Sequence, residues 1–136
     1  MKIFIVILNW NGKEFIIQCL DSIKKLKTDG YLLEIVVVDN ASSDRSVELI
    51  EEKYKSIKIL RNRQNLGFAE GNNVGIRYAL ESGTDYVLLL NPDTLIDIGL
   101  LVSLIKVAKT DSKIGILGPK IYFAPGYEFH KERYKK

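Results

Sequence analysis

Cysteine and histidine are almost missing from this sequence, which holds one of each, Cys19 and His130. A single cysteine excludes a disulfide within the chain, and the pair is too small a set for a zinc site built from these ligands. We interpret Cys19 as a core thiol on an apolar helical face and His130 as a tail residue. The scarcity of cysteine fits a reducing, intracellular compartment.

Long hydrophobic runs and a strong charge imbalance are missing as well. The longest early apolar run, Ile3 to Leu8, is far shorter than the ~18–20 residues that span a bilayer, and no small-residue cleavage site follows it. We therefore expect neither a transmembrane helix nor a secretory signal. Lys and Arg total 20 against 17 Asp and Glu, and the net charge of +3 is too small and dispersed to indicate nucleic acid as a partner.

Two common nucleotide-binding motifs are also lacking. No G-x-G-x-x-G follows the first apolar run, and Gly12-Lys13-Glu14 lacks the Ser or Thr and the upstream glycine of a P-loop. These absences argue against dinucleotide-dependent dehydrogenases and P-loop enzymes. A response-regulator-like or flavodoxin-like domain would need an acidic cluster after the first strand, and Asn9-Trp10-Asn11 is not acidic.

The sequence does contain a regular alternation of short apolar runs with segments of helical spacing. Strands are predicted at Ile3–Leu8, Ile35–Val38, Ile57–Leu60 and Tyr86–Leu90, with a weaker fifth at Ile114–Leu117. Continuous apolar strands that alternate with helices predict parallel strands joined by right-handed crossovers. The predicted fold class is therefore α/β, an open, mostly parallel twisted sheet with helices on both faces.

The 136 residues suffice for one hydrophobic core and leave no room for a second complete domain. We predict one domain over residues 1–125. The remaining residues, 126–136, are polar and basic with no clear apolar period, and we interpret them as a tail.

Three polar clusters follow predicted strands, at Asn9 to Gly12, Asp39 to Asp44 and Asn91 to Thr94. In open α/β sheets ligands bind outside the carboxyl ends of the strands, so these clusters form the candidate site. Asn, Asp, Ser and Gly also serve ordinary turns and helix caps, which leaves a purely structural interpretation open. Trp10 favours a ligand, because a large aromatic has no turn-forming role and can stack on a planar base.

A fourth segment, Asn65 to Gly75, carries glycines at positions 67, 71 and 75, four residues apart on one helical face. Each glycine weakens a helix by ~1 kcal/mol relative to alanine. We interpret the spacing as a close approach of the helix backbone, either to the sheet or to a ligand such as a diphosphate.

These blocks, in this order, resemble the family 2 glycosyltransferases of the GT-A fold, and within them the rhamnosyltransferase-like group. The resemblance covers roughly residues 1 to 122 and rests on Ile5 to Gly12, Val36 to Asp44, Asn65 to Ala69, Gly71 to Gly75, Leu89 to Thr94 and Gly118 to Tyr122.

The resemblance implies a Rossmann-like nucleotide-diphospho-sugar transferase fold and a donor site. Asp93 matches the last carboxylate of the family's metal-binding D-x-D motif, and Mg²⁺ or Mn²⁺ is the implied cofactor. Asn91 stands at the first position of that motif, which leaves one charged protein ligand. The implied donor-binding residues are Asn9, Trp10, Asn11, Asp39, Asn40, Asn65, Gly67, Asn73 and Asn91.

The implied activity is the transfer of a sugar from a nucleoside diphosphate sugar to a saccharide or lipid-linked acceptor, with inversion, in polysaccharide or glycolipid assembly. Family members continue well beyond this length and carry an Asp or Glu as general base. Only Glu128 and Glu132 follow Asp111 as carboxylates, and neither sits in a matching motif. A donor-binding fragment without transfer activity is therefore the alternative. We expect a cytoplasmic location, with peripheral association at the inner membrane surface left open.

Overall fold

A computed structural model describes residues 1–122 of the chain. The Cα positions divide the chain into a compact unit, Met1–Val102, and a second unit that begins at Ser103. The predicted tail at residues 126–136 lies outside the described residues, as do His130, Glu128 and Glu132.

All four main predicted strands are present, and they form one parallel sheet in the order β3-β2-β1-β4. The register places Asn9 beside Asp39 and Ile7 beside Leu90, so the carboxyl ends of three strands reach the same edge. The strands are β1 Lys2–Asn9, β2 Leu32–Asp39, β3 Lys58–Arg61 and β4 Tyr86–Leu90.

Helices cover both faces of the sheet, as the apolar spacing predicts. On one side α1 packs against α2, whereas α3 packs across β1, β2 and β4 on the other. The predicted fold class is confirmed. The helices are α1 Ile16–Ile23, α2 Ser46–Lys53, α3 Gly67–Glu81 and α4 Leu100–Ala108.

The core lies on both faces of β1, which explains why that strand is apolar at nearly every position. Phe4 and Val6 pack with Val36, Val38 and Ala79 under α3. The intervening side chains of β1 point to the opposite face because successive residues of a strand alternate, and they are equally buried. Both helix layers therefore need β1 at the centre of the sheet.

The weaker fifth strand, predicted at Ile114–Leu117, is wrong: these residues adopt no strand conformation. A strand is held by ladder hydrogen bonds to a neighbouring strand, which an apolar run by itself does not provide. Ile116 is 94% exposed. In the described residues, no helix is both long and apolar enough to cross a membrane.

The glycines of α3 bring its backbone against the sheet. A Cβ on Gly71 would lie 2.6 Å from Leu8 Cδ1, and one on Gly75 would lie 2.3 Å from Val6 Cγ1. Of the two interpretations of the glycine spacing, approach to the sheet is therefore correct at these positions. Gly67 differs, because it has open space and a φ of 77°, which favours glycine at the start of the helix.

Candidate functional site

The candidate site lies at the carboxyl edge of the sheet, where the strand order reverses. The chain proceeds from β1 through β2 to β3 on one side of β1, and then crosses to β4 on its other side. The loops after β1 and β4 meet there, since a Cβ on Gly12 would lie 3.5 Å from the Cβ of Pro92. A crevice at such a reversal is where open α/β sheets bind their ligands.

Asp39, the last residue of β2, is a carboxylate buried at this edge. It is 5% exposed, and its Oδ1 accepts from Asn9 Nδ2 at 3.3 Å. The backbone N–H of Ser42 donates to both carboxylate oxygens, each at 3.3 Å. Within residues 1–122 no lysine or arginine pairs with it. A buried carboxylate with only these long bonds is under-compensated and retains room to accept from a ligand.

Asn9 ends β1 and is fully buried beneath the loops. Besides the bond to Asp39, its Nδ2 lies 3.1 Å from Ser42 Oγ and 2.8 Å from Ser46 Oγ. Its Oδ1 is a buried side-chain atom without a hydrogen-bond partner in the described structure. That oxygen faces Gly12, where a Cβ would lie only 2.5 Å away. An unpaired buried acceptor costs about 1–3 kcal/mol.

The loop after β1 is fastened to the loop after β2. The backbone N–H of Asn11 donates to Ser42 Oγ at 3.0 Å, and Ser43 N donates back to Asn11 Oδ1 at 2.8 Å. Trp10 directly precedes Asn11 in this fastened loop, and its side chain is 58% exposed. The indole therefore lies on a constrained loop with its ring surface free, as stacking on a base requires.

Backbone strain is concentrated at the same edge. Asn11, Ala41 and Arg45 have φ values of 52°, 64° and 67°, in the left-handed region that side chains disfavour. Such conformations persist only where surrounding contacts hold them, and they cluster at functional sites. The strain supports this edge as the site.

Asp44 holds the start of α2 and the loop after β1 at once. Its Oδ1 accepts from Ser46 N at 3.0 Å and its Oδ2 from Lys13 N at 2.8 Å. Burial by itself would raise the pKa of this carboxyl, but hydrogen bonds from Ser46 and Lys13 outweigh that effect and hold the pKa below its ordinary value. The carboxylate is thus more stable in the folded chain than in the unfolded one.

We expect Asp44→Ala to lower the free energy of unfolding by about 1 kcal/mol at pH 7, because the backbone N–H groups of Lys13 and Ser46 lose their charged acceptor. Because the pKa is depressed on folding, the wild-type advantage is complete above about pH 4 and is lost as the pH falls further. Urea unfolding of both proteins between pH 7 and pH 2.5 checks this. A difference that stays constant down to pH 2.5 would contradict the role of the ionised carboxylate.

Asn40 ties the loop before α3 to the end of β2. Its Nδ2 donates to Asn65 Oδ1 at 2.7 Å and to the carbonyl of Gly67 at 3.2 Å. Its Oδ1 accepts from Asn62 Nδ2 and Leu66 N, each at 3.0 Å. Two donors and two acceptors exhaust an amide side chain, so Asn40 acts in the folded chain by holding this loop.

The remaining predicted site residues are more exposed. Asn73 is exposed on α3, where its Nδ2 donates to Glu70 Oε2 at 3.2 Å. Asn65 is also exposed, although its Oδ1 accepts from Gly67 N at 2.8 Å. Asn91 is exposed at the end of β4, and its carbonyl accepts from Thr94 N at 3.2 Å. The structure thus brings the predicted residues to one edge and leaves some of them open to solvent.

Asp93 lies exposed in the turn after β4, and its charge acts on the buried thiol of Cys19. The Sγ of Cys19 lies 3.6 Å from the carbonyl of Asn91. Burial raises the pKa of Cys19 to about 12, and the negative charge of Asp93 adds to the rise. Cys19 is therefore a protonated core thiol, as its helical position predicts.

A divalent cation fits Asp93 as part of a shared ligand set, in which the substrate phosphates and water supply the other ligands. Among residues 1–122 no three His, Cys, Asp or Glu side chains gather into a ligand set. No hydrogen bond or ion pair engages the Asp93 carboxylate in that range. Mg²⁺ is commonly held by one or two carboxylates together with substrate phosphates and water, and a single free carboxylate suits that arrangement.

Nearly the whole chain matches the model of a known protein family. The model of Glycosyl transferase family 2 matches residues 4–135. The chain belongs to this family. Poly-beta-1,6-N-acetyl-D-glucosamine synthase of Staphylococcus aureus is 31% identical over 108 residues, which are 78% of this chain and 25% of that protein.

Solved structures confirm the GT-A fold. TarS residues 1–349 of Staphylococcus aureus, in complex with UDP-GlcNAc, has a TM-score of 0.69 at 22% identity, over 88% of this chain and 37% of that one. The mannosyltransferase PcManGT from Pyrobaculum calidifontis, with GDP-Man and Mn²⁺, has a TM-score of 0.66 at 24% identity, over 78% and 32%.

The match covers only part of these larger proteins. The chain spans between 13% and 28% of the length of the curated relatives that it matches.

Three residues that surround Asn9 are missing from the predicted donor-binding residues: Gly12 and Ser42, which lie within the predicted polar clusters, and Ser46. Ser42 falls in a polar turn and Ser46 is the first residue of α2, so each has an ordinary structural explanation. Gly12 affects the site through Asn9, three residues earlier, because the Oδ1 of Asn9 lies 2.5 Å from where a Cβ at position 12 would be. A serine three residues after Asp39 is a weak turn signal, and nothing in the sequence indicates the Ser46 contact.

Proposed function

We propose that this chain forms the donor-binding part of an enzyme that transfers a sugar from a nucleoside diphosphate sugar to an acceptor hydroxyl, in polysaccharide or glycolipid assembly. The observation that supports it most is the buried Asp39 carboxylate, which has no cationic partner within residues 1–122 and lies at the carboxyl edge of the sheet, one strand from the reversal of strand order. A synthase of poly-N-acetylglucosamine among the relatives, and a neighbour bound to UDP-GlcNAc, support the same substrate class.

The proposed donor contacts follow from exposure and hydrogen-bonding capacity. Trp10 stacks on the base, because its ring is exposed on a constrained loop. Asp39 accepts from a base N–H or a ribose hydroxyl, which selects the donor rather than performing the chemistry. Asn65 and Asn73 border the ribose and diphosphate, and Asn40 keeps that loop in place through its four internal hydrogen bonds.

Asp93 is the proposed protein ligand of Mg²⁺ or Mn²⁺, with the exposed Asn91 beside it as a neutral neighbour. A bound divalent ion supplies Lewis-acid neutralisation of the departing diphosphate. The Mn²⁺ in the PcManGT complex supports this choice of cofactor.

The proposed reaction inverts the anomeric carbon. The acceptor oxygen forms a bond to that carbon as the bond to the diphosphate oxygen breaks, and a general base takes the hydroxyl proton. We assign that base to no residue in the 1–122 range. A lipid-linked acceptor would place the enzyme in the cytoplasm at the inner membrane surface.

Thermal unfolding with UDP-, GDP- and dTDP-sugars, each with and without Mn²⁺, tests the proposal. A ligand at 100 times its Kd stabilises the folded state by about 2.7 kcal/mol. The Tm should therefore rise clearly with the sugars of one nucleotide, and it should rise further when Mn²⁺ is present. Asp39→Asn should abolish most of that rise. If no nucleotide sugar shifts the Tm, the donor site is wrong. Sugar release or transfer distinguishes an enzyme from a fragment that only binds donor.

A further inference from the structure

We infer that Asn9 is a positioning residue that acts through Asp39, and that it does not contact the donor itself. This inference rests on the proposed function, because it assigns to Asn9 the orientation of the carboxylate that selects the nucleotide. Asn9 was predicted from the sequence as a donor contact. Its side chain is fully buried, so no ligand at the edge of the sheet reaches it without moving the loops.

The hydrogen bonds of the Asn9 side chain all go to the segment that runs from the end of β2 to the start of α2. Its Nδ2 lies within 3.3 Å of Asp39 Oδ1 and closer still to the hydroxyls of Ser42 and Ser46. Ser42 in turn donates its backbone N–H to the same carboxylate. Asn9 thereby holds Oδ1, and Oδ2, which accepts only from Ser42 N in the described structure, keeps the spare capacity for a ligand.

The Nδ2 of Asn9 accounts for an amide at this position, because an apolar side chain would take a hydrogen-bond donor from the buried Asp39 carboxylate and from the hydroxyls of Ser42 and Ser46. The Oδ1 of Asn9 contributes no hydrogen bond within residues 1–122, so the amide acts through the groups that its Nδ2 faces. Gly12 matches the arrangement, because its missing Cβ leaves room for that oxygen. Asn9 and Gly12 together fix the amide so that its N–H groups face Asp39.

A double-mutant cycle tests the inference on the whole chain, with UDP-GlcNAc or GDP-mannose and Mn²⁺ as probes. Asn9→Leu, which fills the place with an apolar group, should weaken binding of the better probe about tenfold. In an Asp39→Asn background the same change should alter the Kd by less than about twofold, since the group through which Asn9 acts is already lost. Calorimetry gives each Kd, and the Tm of each variant without ligand is measured alongside.

Gly12→Ala is the second variant, and it carries the test if Asn9→Leu does not fold. Its Cβ would displace the Asn9 amide without removing it, so it should reproduce both the tenfold loss and the lack of effect in the Asp39→Asn background. If either change weakens binding as much in the Asp39→Asn background as in the wild type, the inference is overturned. It is also overturned if the loss of affinity across the variants is proportional to their loss of Tm. Either result leaves the proposed function intact. Failure of the wild-type chain to bind either probe overturns both.

Discussion

Asp93→Asn should weaken nucleotide-sugar binding in Mn²⁺ by at least about tenfold, because even changes to the groups that support a metal's ligands typically cost 10–100-fold in affinity. Asp93 is a single exposed carboxylate in the turn after β4, and no three-residue ligand group lies in the described residues to replace it. A neutral amide keeps the size of the side chain and removes the charge that attracts a divalent ion. Calorimetry with Mn²⁺ and with EDTA separates the metal-dependent part of the affinity.

Asp29→Asn is the matched control, since it makes the same chemical change at an exposed aspartate in the turn before β2, at the opposite edge of the sheet. Asp29 has a φ of 46°, which asparagine also tolerates. The control should bind as the wild type does in both buffers, and Asp93→Asn should match the wild type in EDTA. Undiminished dependence on Mn²⁺ in Asp93→Asn would show that Asp93 is not the metal ligand.

Gly75→Ala should lower the free energy of unfolding by about 2 kcal/mol, although alanine favours a helix over glycine by about 1 kcal/mol. The added Cβ would lie 2.3 Å from Val6 Cγ1 and 2.9 Å from Val38 Cγ2. Both valines are fully buried at the centre of the sheet, so the helix has to move outward and loosen the core. Thermal unfolding should show a Tm lower by roughly 8 °C.

Asn73→Ala serves as its control on the same helix. Asn73 is exposed, so alanine there should change the free energy of unfolding by no more than about 0.5 kcal/mol. If Gly75→Ala is as stable as the wild type, α3 does not depend on glycine for its approach to β1 and β2. The glycine spacing would then need another explanation.

The fold was predictable from local pattern because burial on both faces makes a parallel strand apolar along its whole length. This holds for β1, and it failed at Ile114–Leu117, where an apolar run alone cannot supply a pairing partner. The candidate site was predictable as a set of residues because polar turns at strand ends share one edge of the sheet. The structure then divided that set into exposed side chains, such as Trp10, and buried ones, such as Asn9.

By itself the sequence determined the alternation of strands and helices, the family and the edge at which the polar clusters meet, because these follow from patterns within a few residues or from ordered motifs. Only the tertiary structure decided that Asp39 is buried, with no cationic partner in the part of the chain that the structure describes, and that Asn9 is held between Asp39 and Ser46. Asn9 precedes these partners by 30 and 37 residues. Their contact depends on the parallel register of β1 with β2, a long-range arrangement that no local pattern specifies.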